Sequence, residues 1–160
     1  MIIRPATPED IPQILALIQA LAEYEREPQA AVATHADLLR DGFGPVPRFH
    51  CLMAEWDGEP AGFALYFYNY STWRGHAGIY VEDLFVRPLY RGKGIGKALF
   101  AEVARIAQAE GCPRLEWAVL NWNQLAIDFY NSIDAQPMSE WTTMRLSGEA
   151  LHQLAQSPDA

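Results

Sequence analysis

Tyr80-Val-Glu-Asp-Leu-Phe-Val-Arg-Pro-Leu-Tyr-Arg-Gly-Lys-Gly-Ile-Gly-Lys97 is the stretch on which the reading of this chain turns. Tyr80 to Val86 is rich in β-branched and aromatic residues and predicts a strand. Pro88 has no amide hydrogen to give and ends the ladder. Gly92, Gly94 and Gly96 allow positive φ and let the backbone come close to a ligand. Ile95, Leu99, Val103 and Ile106 then recur at helical spacing, and Gly111 is a stop signal. A glycine-rich turn that opens a helix presents free amides and the positive end of the helix dipole, which makes an anion site suited to phosphate. The plainer reading is a connector between strand and helix. Strand, glycine spacing and helix all agree, and that agreement favours the site.

Two nucleotide readings fail on residues. A dinucleotide turn is spaced G-x-G-x-x-G, whereas these glycines fall at G-x-G-x-G. A Walker loop needs a glycine where Arg91 stands and a hydroxyl residue where Ala98 stands. Arg91-Gly-Lys-Gly-Ile-Gly96 instead resembles the acetyl-CoA loop of the GNAT (Gcn5-related) N-acetyltransferases.

The chain has 160 residues, half of them apolar, and reads as a single domain over residues 1–160 with a real core. Its net charge of −8 disfavours nucleic acid and suits a cationic small substrate. Cys51 and Cys112 form no CxxC pair, which predicts reduced thiols in the cytoplasm. His50 and Cys51 are neighbours on a predicted strand and point apart, so no metal is expected. No apolar run nears membrane length, and Met1-Ile-Ile-Arg-Pro is too short and polar to begin a signal peptide.

In chain order, Met1 to Arg4 predicts a first strand. A helix capped by Thr7 follows, running to Glu27 before Pro28. Thr34 to Arg40 predicts a second helix ended by Asp41-Gly42. Phe49 to Trp56 and Ala61 to Tyr68 predict a hairpin turning at Asp57-Gly58. Asn69 to Gly78 reads as a loop carrying Trp73. Beyond the glycine helix, Arg114 to Leu120 predicts a strand, and Asn121 or Trp122 starts a helix to about Ile133. Trp141 to Leu146 predicts a last strand, and Ser147 caps a helix to Gln156. The tail Ser157-Pro-Asp-Ala reads as loose. This mixed order predicts an α/β chain: one central mixed sheet with helices on both faces.

Further motifs narrow the resemblance. Leu21-Ala-Glu-Tyr-Glu25, Asp37-Leu-Leu-Arg-Asp-Gly-Phe-Gly44, Tyr80-Val-Glu-Asp-Leu-Phe-Val86 and Trp122-Asn-x-x-Ala-x-x-Phe-Tyr130 look like the diamine acetyltransferase branch, from about residue 3 to about residue 146. The resemblance implies a GNAT-like sheet, acetyl-CoA as acetyl donor and a primary amine as acceptor: a diamine, a polyamine or a lysine- or thialysine-like amino acid. It implies a homodimer through the C-terminal strand.

It also implies residue roles. Leu84, Phe85, Val86 and Arg91 to Lys97 (Arg91, Gly92, Lys93, Gly94, Ile95, Gly96, Lys97) hold the CoA moiety, with amides near Val86 polarising the thioester carbonyl. Asn123, Ala126 and Tyr130 share a helical face that lies along pantetheine, and Tyr130 protonates the leaving thiolate. Glu82 accepts the amine proton, and Tyr24, Glu25, Glu82, Asp83, Glu116 and Trp117 line the acceptor site. Glu82 and Asp83 are neighbours whose side chains alternate faces, so they cannot do the same job. A core aromatic is the plain reading of Tyr130, and a solvated helix end is the plain reading of Glu25.

The chain departs from the branch at Met144, where a polyamine-binding tryptophan is usual, at Asp134-Ala135 in place of Gly-Ala, and at Arg26. These departures put spermidine in doubt. A protein or peptide N-acetyltransferase and a non-catalytic acyl-CoA-binding module are the rival readings.

Overall fold

A computed structural model describes residues 1–157. The end of the tail that reads as loose, residues 158–160, lies outside the described residues. The chain divides into two compact units, Met1–Leu120 and Asn121–Ala160.

The first unit carries five strands: β1 (Ile2–Pro5), β2 (His50–Trp56), β3 (Glu59–Ser71), β4 (His76–Val86) and β5 (Leu115–Glu116). They lie side by side in chain order. The first four pair antiparallel, and β5 joins β4 in parallel, giving the mixed sheet that the element order predicts. Asp57 and Gly58 turn the β2–β3 hairpin with φ of 53° and 82°, the left-handed geometry that suits twisted strands. The expected loop from Asn69 to Gly78 is shorter than its composition suggests. β3 runs on to Ser71 and β4 starts at His76, because long paired strands satisfy backbone groups that a loop would leave to water.

Helix α1 (Ile11–Tyr24) follows a single 3₁₀ turn at Pro8–Asp10, so the helix begins later than the Thr7 cap suggests. It also stops earlier than Glu27. Arg26 takes φ 67°, and the Glu27 amide donates back to the Ala22 carbonyl at 2.9 Å, a Schellman-type closure. Helix α2 (His35–Phe43) opens on a reciprocal cap. The Asp37 amide donates to Thr34 Oγ1 at 3.2 Å, and the Thr34 amide donates to Asp37 Oδ2 at 2.9 Å. It passes through Asp41-Gly42 instead of stopping there. Gly42 serves packing: a Cβ at that position would come within 2.4 Å of the Phe49 ring.

Helix α3 (Ile95–Ala109) follows the glycine turn as the spacing predicts. Ile11, Ile14, Leu17 and Leu21 of α1 and Leu38 of α2 bury themselves against Cys51, Met53, Phe63, Leu65 and Phe85. Full burial of each large aliphatic side chain stabilises by about 1.5–3 kcal/mol. The alternate strand residues Leu52, Ala54, Ala64 and Tyr66 are buried as well. Helix α3 runs along β3 and β4 with Ile95, Leu99, Phe100, Val103 and Ala107 buried. Glu110, just past the end of α3, and Glu102 within it act on the Tyr66 phenol, so this helix covers the face opposite α1.

The pairing of β3 with β4 slips at one point. Leu65 faces Asp83 and Tyr66 faces Val81, which leaves Glu82 as an extra residue in β4. Such a bulge bends its strand. β4 and β5 pair only at Ile79↔Leu115 and Tyr80↔Glu116 and then part. The strand expected over Arg114 to Leu120 is therefore reduced to Leu115–Glu116, and among the described residues no strand pairs with β4 on that side beyond Tyr80.

The second unit holds α4 (Gln124–Asn131) and α5 (Gly148–Ala155). Helix α4 is shorter than the expected span to Ile133, with Asn123 at its cap. Ser147 holds the cap position of α5 as predicted. The strand expected over Trp141 to Leu146 does not form. Among the described residues it pairs with no strand, and a segment without a ladder does not become one. Trp141 and Met144 are exposed there. Asp134 takes φ 60°, the left-handed region that explains why glycine suits this position.

Candidate active site

Local backbone geometry builds the anion cradle. Gly92 and Gly94 have φ of 75° and 78°, and no atom lies within 4 Å of where a Cβ would stand on either. The first bond into α3 runs from the Ala98 amide to the Gly94 carbonyl at 3.0 Å. The amides of Ile95, Gly96 and Lys97 thus belong to the first helical turn and have no acceptor within the helix. A fifteen-residue helix behind them adds its dipole. These features fit a pyrophosphate.

The side chains divide differently from the backbone. Ile95 is buried and gives the cradle only its amide, and Phe85 faces the α1 core, so its contribution to the cradle is also main-chain. Lys93 and Lys97 are exposed. The Lys93 ammonium lies 4.7 Å from the centroid of Trp56, a residue sequence reasoning did not single out. Its place at the end of β2, opposite Glu59 in the hairpin, brings it to the loop, and no local pattern announces that. Arg91 is half-buried, with Nε donating to the Val86 carbonyl at 3.0 Å.

Three carboxylates gather near the bulge. Burial first, then the charges of Glu82 and Glu25, push the Asp83 carboxyl up to about 6. Burial also raises Glu25. The bulge inserts Glu82 without a ladder partner, so Val81 faces Tyr66 while Asp83 faces Leu65 and the regular alternation of β4 is broken between Val81 and Asp83. Glu82 itself is exposed. Among the described residues no lysine or arginine forms an ion pair with Glu25, Glu82 or Asp83. Tyr24 ends α1 beside them, its ring centroid 6.4 Å from that of Phe85.

Glu116 and Trp117 have structural partners. Glu116 Oε1 accepts from Asn69 Nδ2 at 3.1 Å and pairs with Arg114 Nε at 3.0 Å. Trp117 stands edge-on to Phe100 of α3 with centroids 4.8 Å apart. Of the expected acceptor residues, Tyr24 and Glu25 stand at the end of α1, the charges of Glu25 and Glu82 act on Asp83, and those of Glu82 and Glu116 both act on Tyr80.

In the second unit, Asn123, Ala126 and Tyr130 occupy the less exposed face of α4, whereas Gln124, Leu125 and Asp128 are exposed. Asn123 Oδ1 accepts from the Ala126 amide at 3.2 Å and caps the helix.

Comparison with known proteins agrees with this geometry. The sequence model described as "Acetyltransferase (GNAT) family" matches residues 13–133. The thialysine N-epsilon-acetyltransferase of Bos taurus is 43% identical over 166 residues, covering 97% of each chain. The L-ornithine N5-acetyltransferase NATA1 of Arabidopsis thaliana is 34% identical, covering 93% of this chain and 85% of its own. The structure of an integron cassette protein from the mobile metagenome of V. cholerae superposes with TM-score 0.82 at 29% identity, covering 98% of each chain. A family match over most of the length, with relatives above 30% identity across nearly all of it, means that the chain belongs to the GNAT acetyltransferases, enzymes that move an acetyl group from acetyl-CoA to an amine.

Proposed function

We propose that this enzyme acetylates a primary amine of a small cationic substrate: a diamine, a polyamine or a lysine- or thialysine-like amino acid. The observation that carries this reading is the cluster of Glu25, Glu82 and Asp83 without a described cation. Burial first, then the charges of Glu82 and Glu25, raise the Asp83 carboxyl, and a cationic ligand relieves that cost. The bovine and Arabidopsis relatives are named for acetylation of thialysine and ornithine, both small amino acids with a side-chain amine.

Acetyl-CoA supplies an activated acetyl thioester when bound. The amides of Gly92 to Lys97 hold its pyrophosphate, and the edge of β4 from Leu84 to Val86 offers main-chain groups to the pantetheine arm and the thioester carbonyl. Glu82 or Asp83 accepts the ammonium proton, directly or through water. Asp83, with a pKa near 6, is the better matched to neutral pH. The freed nitrogen forms the new C–N bond as the C–S bond breaks. Tyr130 donates its phenolic proton to the departing thiolate, and Asn123 and Ala126 line the same face of α4.

We further propose a homodimer in which the Trp141 to Leu146 segment completes a sheet with a second copy. The cytoplasm is the expected compartment, since Cys51 and Cys112 are buried unpaired thiols.

The test is a panel of amines with acetyl-CoA, read as thiol release and ranked by kcat/KM. Small diamines and lysine analogues should lead. A neutral or acidic amine at the top, or faster turnover of peptide N-termini, overturns the choice of acceptor. Binding of CoA without turnover of any amine or peptide would make the chain a binding module.

A further inference from the structure

Arg91 stands in the position where a simple phosphate ligand would be expected, yet its guanidinium is turned inward. Nε donates to the Val86 carbonyl at 3.0 Å. The guanidinium carbon lies 4.6 Å from the centroid of Tyr24 and 5.6 Å from that of Phe85. One side chain thus touches three elements: the glycine loop that carries it, the last residues of β4, and the final residue of α1. Glu25 follows Tyr24 directly, and Asp83 lies two residues before Phe85, on the same strand face.

We infer that Arg91 is a positioning residue, fastening the glycine loop and the end of β4 to the Tyr24 end of α1 and thereby fixing the acidic wall that receives the amine. The inference rests on the acetyltransfer reading above and assigns Arg91 a task on the acceptor side. The chemistry requires arginine. A planar guanidinium stacks on a ring and donates sideways at the same time, whereas a lysine ammonium is a compact point charge that cannot hold both geometries. The backbone closes the end of α1 on itself through the Glu27 amide and the Ala22 carbonyl, and the Tyr24 ring against Arg91 and Phe85 joins that end to the glycine loop and β4. If that tie is lost, Glu25 moves relative to Asp83, and their joint field on a cation weakens.

Arg91→Lys keeps the charge and removes the plane and the Nε bond. Tyr24→Leu keeps Arg91 and removes the ring it lies against. Tyr24→Phe keeps the ring. The measurements are kcat and KM for the best amine at saturating acetyl-CoA, and the CoA dissociation constant by calorimetry. Arg91→Lys and Tyr24→Leu should each raise the amine KM by roughly 3- to 30-fold, the range of a cation–π contact, while CoA affinity changes by less than about threefold. Tyr24→Phe should lose less than Tyr24→Leu. An Arg91→Lys enzyme that binds CoA poorly but keeps its amine KM makes Arg91 a phosphate ligand and overturns the inference. So does a Tyr24→Leu enzyme with an unchanged amine KM, which decides the matter even if Arg91→Lys does not fold. A parent enzyme that acetylates no amine overturns the acetyltransfer reading itself, and that result is seen before any variant is made.

Discussion

Asp83 is a carboxylic acid held in a mostly buried place on β4. Burial and the neighbouring acids hold its carboxyl near 6, above its ordinary value. The folded state therefore binds this proton more tightly than the unfolded chain does. Asp83 makes stability fall as pH rises from about 4 to about 6, after which the cost is constant. Asp83→Asn should raise the melting temperature at about pH 8 and change it little at about pH 4. An equal gain at both pH values would mean that packing, and not charge, is responsible. In catalysis the sign reverses, because the ionised carboxylate attracts the ammonium and accepts its proton. The kcat/KM for a cationic amine should fall as pH drops below about 6, and this limb should shift or vanish in Asp83→Asn. Tyr130 is tested by Tyr130→Phe, which keeps the ring and removes the acid. It should retain CoA affinity and thermal stability and lose about 10² to 10⁴ in kcat. Nearly full kcat would mean that water protonates the thiolate.

The glycine turn and α3 act as a unit. Gly94 caps the helix with φ 78° in open space, so a methyl group there meets no neighbour and the whole cost is backbone strain. Gly94→Ala should destabilise by about 1 kcal/mol and raise the acetyl-CoA KM, because the amides relax out of register with the pyrophosphate. Unchanged CoA binding by calorimetry would reduce the turn to a connector. At the other end of the chain, the Trp141 to Leu146 segment has β-forming residues and pairs with no strand among the described residues. Trp141 is 68% and Met144 86% exposed in the single chain, far more than residues of this size need to be. The proposed second copy would cover both residues. Trp141→Glu with Met144→Glu should give a monomer by sedimentation, whereas the parent sediments as a dimer. A monomeric parent would sink the proposed assembly.

Across the whole molecule the net charge of −8 sets the long-range field. A cationic amine is drawn to it, and salt screens the attraction over a Debye length of about 10 Å at 0.1 M. The kcat/KM for the best diamine or lysine analogue should fall as ionic strength rises, and should not fall for an uncharged amine of similar size. A flat salt profile for the cation would confine the acids to a local role.

What the sequence by itself determined follows from patterns local in the chain. The glycine spacing sets φ at Gly92 and Gly94, the apolar stripes set α1 and α3, and Asp57-Gly58 sets the hairpin, because each depends on residues a few positions apart. Only the tertiary structure decided the rest. The bulge at Glu82 arises from the pairing of β4 with β3. The inward turn of Arg91 depends on Tyr24, far off in sequence, and Glu116 finds its partners in Asn69 and Arg114. The Trp141 to Leu146 stretch shows the same rule in reverse, since strand propensity without a partner to complete its hydrogen bonds does not make a strand.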